Sequence, residues 1–89
     1  MQQYRVVLLD DNDHTYDYVV EMLEMLFIFT REEALRHAEE VDRCGRTVLI
    51  TCEQPQAEFA LDQIHAFGPD PRLQRCAGPM SAIIEPAAG

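Results

Sequence analysis

The sequence has no lysine; all seven of its basic residues are arginine. Set against 16 acidic residues, they leave a formal charge of −9. Such a surface lacks the basic patch that would neutralise phosphates, which excludes nucleic acid as a partner. Anionic membrane surfaces are excluded for the same reason. A cationic or partly basic partner suits this charge. Serine is scarce as well: Ser81 stands alone. No Cys, His and Asp are placed so as to suggest nucleophilic catalysis, so the chain is not expected to be an enzyme or to carry a cofactor. Cys44, Cys52 and Cys76 are odd in number and have no short spacing, which is not a disulfide framework. They read as reduced, partly buried thiols of a cytoplasmic protein. No two of His14, His37 and His65 have metal-ligand spacing. The apolar run Val6–Leu9 is too short for a signal peptide, and no stretch approaches the length of a membrane span. Repeats and low-complexity segments are missing.

What is present fits one domain over residues 1–89, with a core from about 4 to 85. A chain of this size buries about 60–65% of its unfolded surface. That supports one core and leaves little room for a deep cleft. Tyr4–Leu9 reads as a strand, with β-branched Val6 and Val7. From Thr15 or Tyr16 the apolar period becomes helical: Tyr16, Val19, Val20, Leu23, Leu26 and Phe27 form a stripe. Thr30-Arg31-Glu32-Glu33 is a capping box, opening a helix with Ala34, Ala38 and Val41 on one face. Gly45 stands where a left-handed residue would close it. Arg46–Glu53 reads as a strand. Pro55 opens a third helix with Ala57, Ala60, Leu61, Ile64 and Phe67 on one side. Gly68-Pro69-Asp70-Pro71 ends it. Met80–Glu85 is a last short strand. The expected fold is α+β: a βααβαβ sandwich, its three-stranded antiparallel sheet covered by three helices.

Chemistry gathers where the first strand meets the first helix. Asp10, Asp11, Asn12 and Asp13 are consecutive. One of them is expected to cap the helix, since Asp and Asn favour that position, but four exceed what capping needs. Carboxylates at such a junction are well placed to hold a small cation beside an apolar surface. Calcium is a poor candidate: Asp10, Asn12, His14 and Glu21 match EF-hand spacing, yet Thr15 stands where Gly is needed. A phosphoryl-accepting receiver domain would need more βα units and a lysine. Asp42 is the second anomaly. It lies in the last turn of the second helix, where a carboxylate is unfavourable by about 0.3–1 kcal/mol. It also stands near the apolar stripe. Either it is a solvated Asp paired with Arg43 or Arg46, or it has another task.

These segments together resemble the ClpS family, bacterial adaptors that recognise N-degrons and hand them to the Clp ATPase–protease. The run V-V-L-L-D-D-N-D-H-T-Y-D-Y-V-V is similar to the family's V-V-L-L-N-D-D-x-T-P-M-E-F-V-V without a gap. The helix T-R-E-E-A-L-R-H-A-E-E-V-D-R-C-G keeps the family's R/E-E-A spacing and terminal Gly. The ending P-M-S-A-I-I-E resembles P-L-x-C-x-x-E. The match runs from about Tyr4 to Glu85. The segment from Phe67 to Gly78 is longer than the family pattern, which marks a divergent branch.

The resemblance implies a βααβαβ fold and a site for a free protein N-terminus. An α-ammonium has a reference pKa of about 7.7–8.0, so it is charged at neutral pH and needs acceptors when buried. Asp10 stands at the family's amino-binding Asn, Asp11 at its amino-contacting Asp, and Asp42 at its amino-binding His. Asn12 and His14 would contact the peptide backbone. Tyr16, Val19, Ala38, Val41 and Met80 would line the side-chain pocket, although such residues also suit an ordinary core. Tyr16 and Ala38 both replace family methionines. Loss of the gating methionine at Ala38 implies a wider pocket, accepting Leu, Phe, Tyr and Trp with relaxed exclusion of Ile and Val. Tyr16 could refill that space. Glu58 would help dock the N-domain of a Clp-family AAA+ ATPase, though the family's neighbouring basic residue is replaced. The alternative is a protein–protein interaction domain of the same fold that does not bind N-degrons.

Overall fold

A computed structural model describes residues 2–10, 15–68 and 80–87. Its elements are β1 (Tyr4–Leu9), α1 (Tyr16–Leu26), α2 (Arg31–Cys44), β2 (Arg46–Cys52), α3 (Gln54–Ala66) and β3 (Ala82–Pro86). The sheet order is β2-β1-β3, antiparallel at both junctions. This is the expected α+β architecture. β1 holds the centre because both its faces are apolar: Val6, Val7 and Leu8 are fully buried. Val6 and Leu8 join the helix-packed core, while Val7 faces the other side of the sheet. The β1–β2 register steps between Val6 and Val7, from Ile50 to Val48 past Leu49. On the side away from the helices, Arg5 Nε and Arg46 Nη2 donate to Glu85 Oε1 at 3.0 and 2.6 Å. Arg46 is opposite Leu9 and Glu85 opposite Arg5. Their bridge therefore crosses β1 at the level of Val7 and helps to cover it.

Capping chemistry sets the helix ends. Thr15, not a residue of the acidic run, caps α1: its Oγ1 accepts from the Tyr18 N–H at 3.1 Å. At α2 the capping box is complete, with Thr30 Oγ1 accepting from Glu33 N–H at 3.1 Å and Glu33 Oε1 from Thr30 N–H at 2.8 Å. Gly45 closes α2 with φ +85°, a conformation that costs any residue with a Cβ. Glu53 is the cap of α3 rather than the last residue of β2. β3 begins two residues later than the sequence suggests and includes Pro86.

The helices meet the sheet through small side chains. Ala34, Ala38, Ala57 and Ala60 are all buried, letting α2 and α3 approach closely. The α1 stripe is shifted from the expected one. Tyr18 and Met22 are fully buried, whereas Tyr16 is 41% exposed and Phe27 lies beyond the helix end. Tyr18 packs edge-on against Phe67 and its hydroxyl donates to the Gly68 carbonyl. His37, half-buried on α2, is part of a polar tie. Its Nδ1 lies 2.8 Å from the Oγ1 of buried Thr47, which also donates to Glu40. Phe29 stacks on the His37 ring.

Candidate functional site

Two backbone hydrogen bonds build the site. The Leu9 N–H donates to the Ser81 carbonyl at 2.9 Å, and the Asp10 N–H to the Gly45 carbonyl at 3.1 Å. The end of β1 is thereby stitched to the approach of β3 and to the C-cap of α2. Asp10 comes to the last turn of α2, where Asp42 stands, and Met80 comes to both. The result is a concavity with Asp10, Thr15 and Asp42 at its polar side. Val19, Ala38, Val41 and Met80 form apolar walls, and Tyr16 completes the lining. Val19, Ala38, Val41 and Met80 are themselves buried.

Seven of the residues singled out from the sequence thus share one concavity: Asp10, Tyr16, Val19, Ala38, Val41, Asp42 and Met80. Asp11, Asn12 and His14 lie outside the described residues, as does Cys76. Glu58 is elsewhere, exposed on α3, where it accepts from Gln54 Nε2 at 3.4 Å. Thr15 is an addition that the sequence reading missed. A threonine directly before the onset of helical periodicity was its available signal.

The electrostatics are one-sided. The pairing of Asp42 with Arg43 or Arg46 does not occur: Arg43 pairs with Glu39 at 3.9 Å and Arg46 with Glu85. Among the described residues no ion pair involves Asp42. The Tyr16 phenol is pushed above its ordinary pKa, by burial first and then by the carboxylates of Glu39 and Asp42, against the Arg43 guanidinium. Tyr16 on α1 and Ala38, Val41 and Asp42 on α2 line the same concavity. The cavity volume is only about 30 Å³. That is room for about two waters, whereas a dry cavity of about 150 Å³ is known to take benzene. Among the described residues no three His, Cys, Asp or Glu side chains are grouped to hold a metal ion. A carboxylate lip over an apolar floor can bind a cation that carries a hydrophobic group.

Comparison with known proteins identifies this small α+β domain. The model of the ClpS family, ATP-dependent Clp protease adaptor protein ClpS, matches residues 1–71. The chain is 32% identical over 83 residues to the ATP-dependent Clp protease adapter protein ClpS of Nautilia profundicola, covering 92% of this chain and 79% of that protein. It is also 42% identical over 63 residues to the E3 ubiquitin-protein ligase ubr-1 of Caenorhabditis elegans. That match covers 71% of this chain but 3% of the ligase. Agrobacterium tumefaciens ClpS2, solved bound to L-phenylalaninamide, has the same fold, with a TM-score of 0.83 at 23% identity over 97% of this chain and 98% of that one. The chain belongs to the ClpS family of Clp protease adaptors, a family of adaptors and not of catalysts.

Proposed function

We propose that the chain binds the free N-terminus of polypeptides whose first residue is bulky and apolar, and presents them to a Clp-type AAA+ ATPase in the cytoplasm. One observation carries the binding step: the carboxylates of Asp10 and Asp42 flank a concavity floored by Val19, Ala38, Val41 and Met80. Asp10, Asp11 and Asp42 accept from the α-ammonium, and Asn12 and His14 contact the peptide backbone. The first side chain enters between α1 and α2 as Tyr16 swings outward. Burying a Leu or Phe there contributes about 1.5–3 kcal/mol. An acetylated or internal peptide has no ammonium and leaves the carboxylates desolvated without a partner. Glu58 contributes to the ATPase-facing side. No helix among the described residues is long and apolar enough to cross a membrane.

Peptides identical except for N-terminal acetylation test this reading. Free Leu- and Phe-headed peptides are expected to bind and their acetylated forms to fail. Asp42→Ala is expected to cost about 1.5–3 kcal/mol, the range for hydrogen bonds to charged groups. Asp11→Ala should abolish the difference between free and acetylated peptides with the fold intact. Equal binding of both forms would instead favour an interaction domain that does not read N-termini.

A further inference from the structure

α2 has a second face that the concavity does not use. A groove of about 430 Å³ runs along it, lined by Arg36, His37, Glu39, Glu40, Arg43 and Cys44. His37 and Glu40 both turn to Thr47 of β2, so this flank of α2 lies over the outer border of the sheet, where β2 is the edge strand. Among the described residues no backbone hydrogen bond reaches the outer side of β2. The other edge, β3, is shorter and ends in Pro86, a residue that blunts an edge against further pairing. β2 has no such guard: between Arg46 and Glu53 it carries neither a charge nor a proline. The groove above it is balanced as well, with two arginines against two glutamates, in a chain whose net charge is −9. Along this border the molecule does not repel its own kind as its net charge otherwise would.

We propose that two copies of the chain associate through this border. β2 pairs antiparallel with β2 of the second copy about a two-fold axis, and the two α2 flanks meet above the joined strands. This goes beyond the N-terminus-binding reading and does not depend on it, because Asp42 of the concavity lies about 160° round α2 from both Glu40 and Cys44. The register selects a second copy over any other extended segment. Val6 pairs with Ile50 and Val7 with Val48, which makes Leu49 an extra residue in β2. The Asp10 N–H bonds to the Gly45 carbonyl, and backbone groups alternate in direction along a strand. Leu8 and Val6 therefore also face β2, and opposite them Thr47 and Ile50 face back. Val48 and Thr51 are left with their N–H and C=O groups turned outward. Two residues separate them, where a regular strand places one, so a regular strand falls out of step along this edge. A second β2 carries the same extra residue. Val48 then stands opposite Thr51 of the second copy, and Leu49 opposite Ile50 of the second copy. Side chains agree in that register: Val48 and Thr51 are exposed, whereas Leu49 and Ile50 both pack with the helix-side core.

Sedimentation velocity of the full chain, over a dilution series, tests this. A species of twice 10.2 kDa is expected, with a dissociation constant on the order of 1–100 μM, in keeping with a small interface. Val48→Lys places a charge within the new pairing and should weaken association about tenfold or more. Thr51→Lys should do the same. Ile83→Lys makes the same change in net charge on the same face of the sheet, opposite Val7 on β3, and should leave association unchanged. In the unaltered chain, amide exchange at Val48 and Thr51 should slow as concentration rises. A chain that stays monomeric at the highest concentration overturns the inference. So does a dimer that both β2 lysine variants leave intact, or one that Ile83→Lys weakens equally. A series of ever larger species would mean open-ended stacking instead of a closed pair, and would overturn it too. N-terminus binding stands in each of these cases.

Discussion

Tyr16 is the largest side chain lining the concavity and Ala38 the smallest, and the cavity between them and their neighbours is small. We propose that Tyr16, from α1, occupies the space left by the short Ala38. Tyr16 is half exposed, so it can move. Ile-headed peptides are therefore expected within about a hundredfold of Leu-headed ones by competition binding. Tyr16→Ala should narrow that gap; an unchanged ratio would show that Tyr16 does not limit size. His37 carries a separate prediction. Its imidazole is held below its ordinary pKa mainly by burial, with Arg36 acting the same way and the Glu40 and Glu33 carboxylates opposing. In the unfolded chain it titrates near 6.5. Below about pH 6.5 the unfolded state binds a proton that the folded state resists, so stability falls as pH drops. Urea denaturation at pH 7 and 5.5 should show this loss, reduced in His37→Gln. Thr47→Val leaves His37 and Glu40 without their shared partner and should cost about 1–3 kcal/mol. Asp42 was legible as an anomaly because helix-end electrostatics is local. His37 and Thr47 were not, because their bond joins α2 to β2 across a turn and no sequence period reports it.

Helix ends give the clearest tests at the level of elements. Thr30→Ala removes the capping box and should cost about 0.5–2 kcal/mol, leaving peptide affinity unchanged. Gly45→Ala forces a Cβ into φ +85°, with nothing within 4 Å to obstruct it. The cost is thus backbone strain, about 1–2 kcal/mol. Gly45 also supplies the carbonyl that holds Asp10, so this variant should lose peptide affinity as well. Denaturation and peptide titration run side by side separate the two variants. Capping box and glycine stop could both be read in advance because each is a pattern within a few residues. The start of β3 could not. Met80 looks like a strand residue, yet it lines the concavity, while the Ser81 carbonyl still accepts from Leu9 and carries the β1–β3 pairing just past the strand's start. The α1 stripe drifted because Tyr18 turns inward to bond Gly68, 50 residues away.

The whole molecule carries a charge of −9, and its binding should depend on the medium. Affinity for a Leu-headed peptide is expected to fall as salt rises from about 0.05 to 0.5 M, because screening lengths shrink below the size of the site. It should also fall above about pH 8, as the peptide's own amine loses its proton. An affinity flat across that salt range would remove electrostatics as the reason for the acidic lip. The fold as a whole was the most legible level, since three helical periods and three short strands admit few arrangements. Cavity size was the least, because it depends on how side chains from α1, α2 and the approach to β3 pack together.

Asp10, Thr15, Val19, Asp42 and Met80 come from nearly the full length of the chain, and the bonds of Leu9 and Asp10 clasp them together. Recognition and integrity are consequently one property. A cut ahead of Met80 takes away a wall, and one that frees the end of β1 releases a lip, so no fragment keeps the whole concavity. A damaged copy would lose the proposed binding outright instead of acquiring a different one.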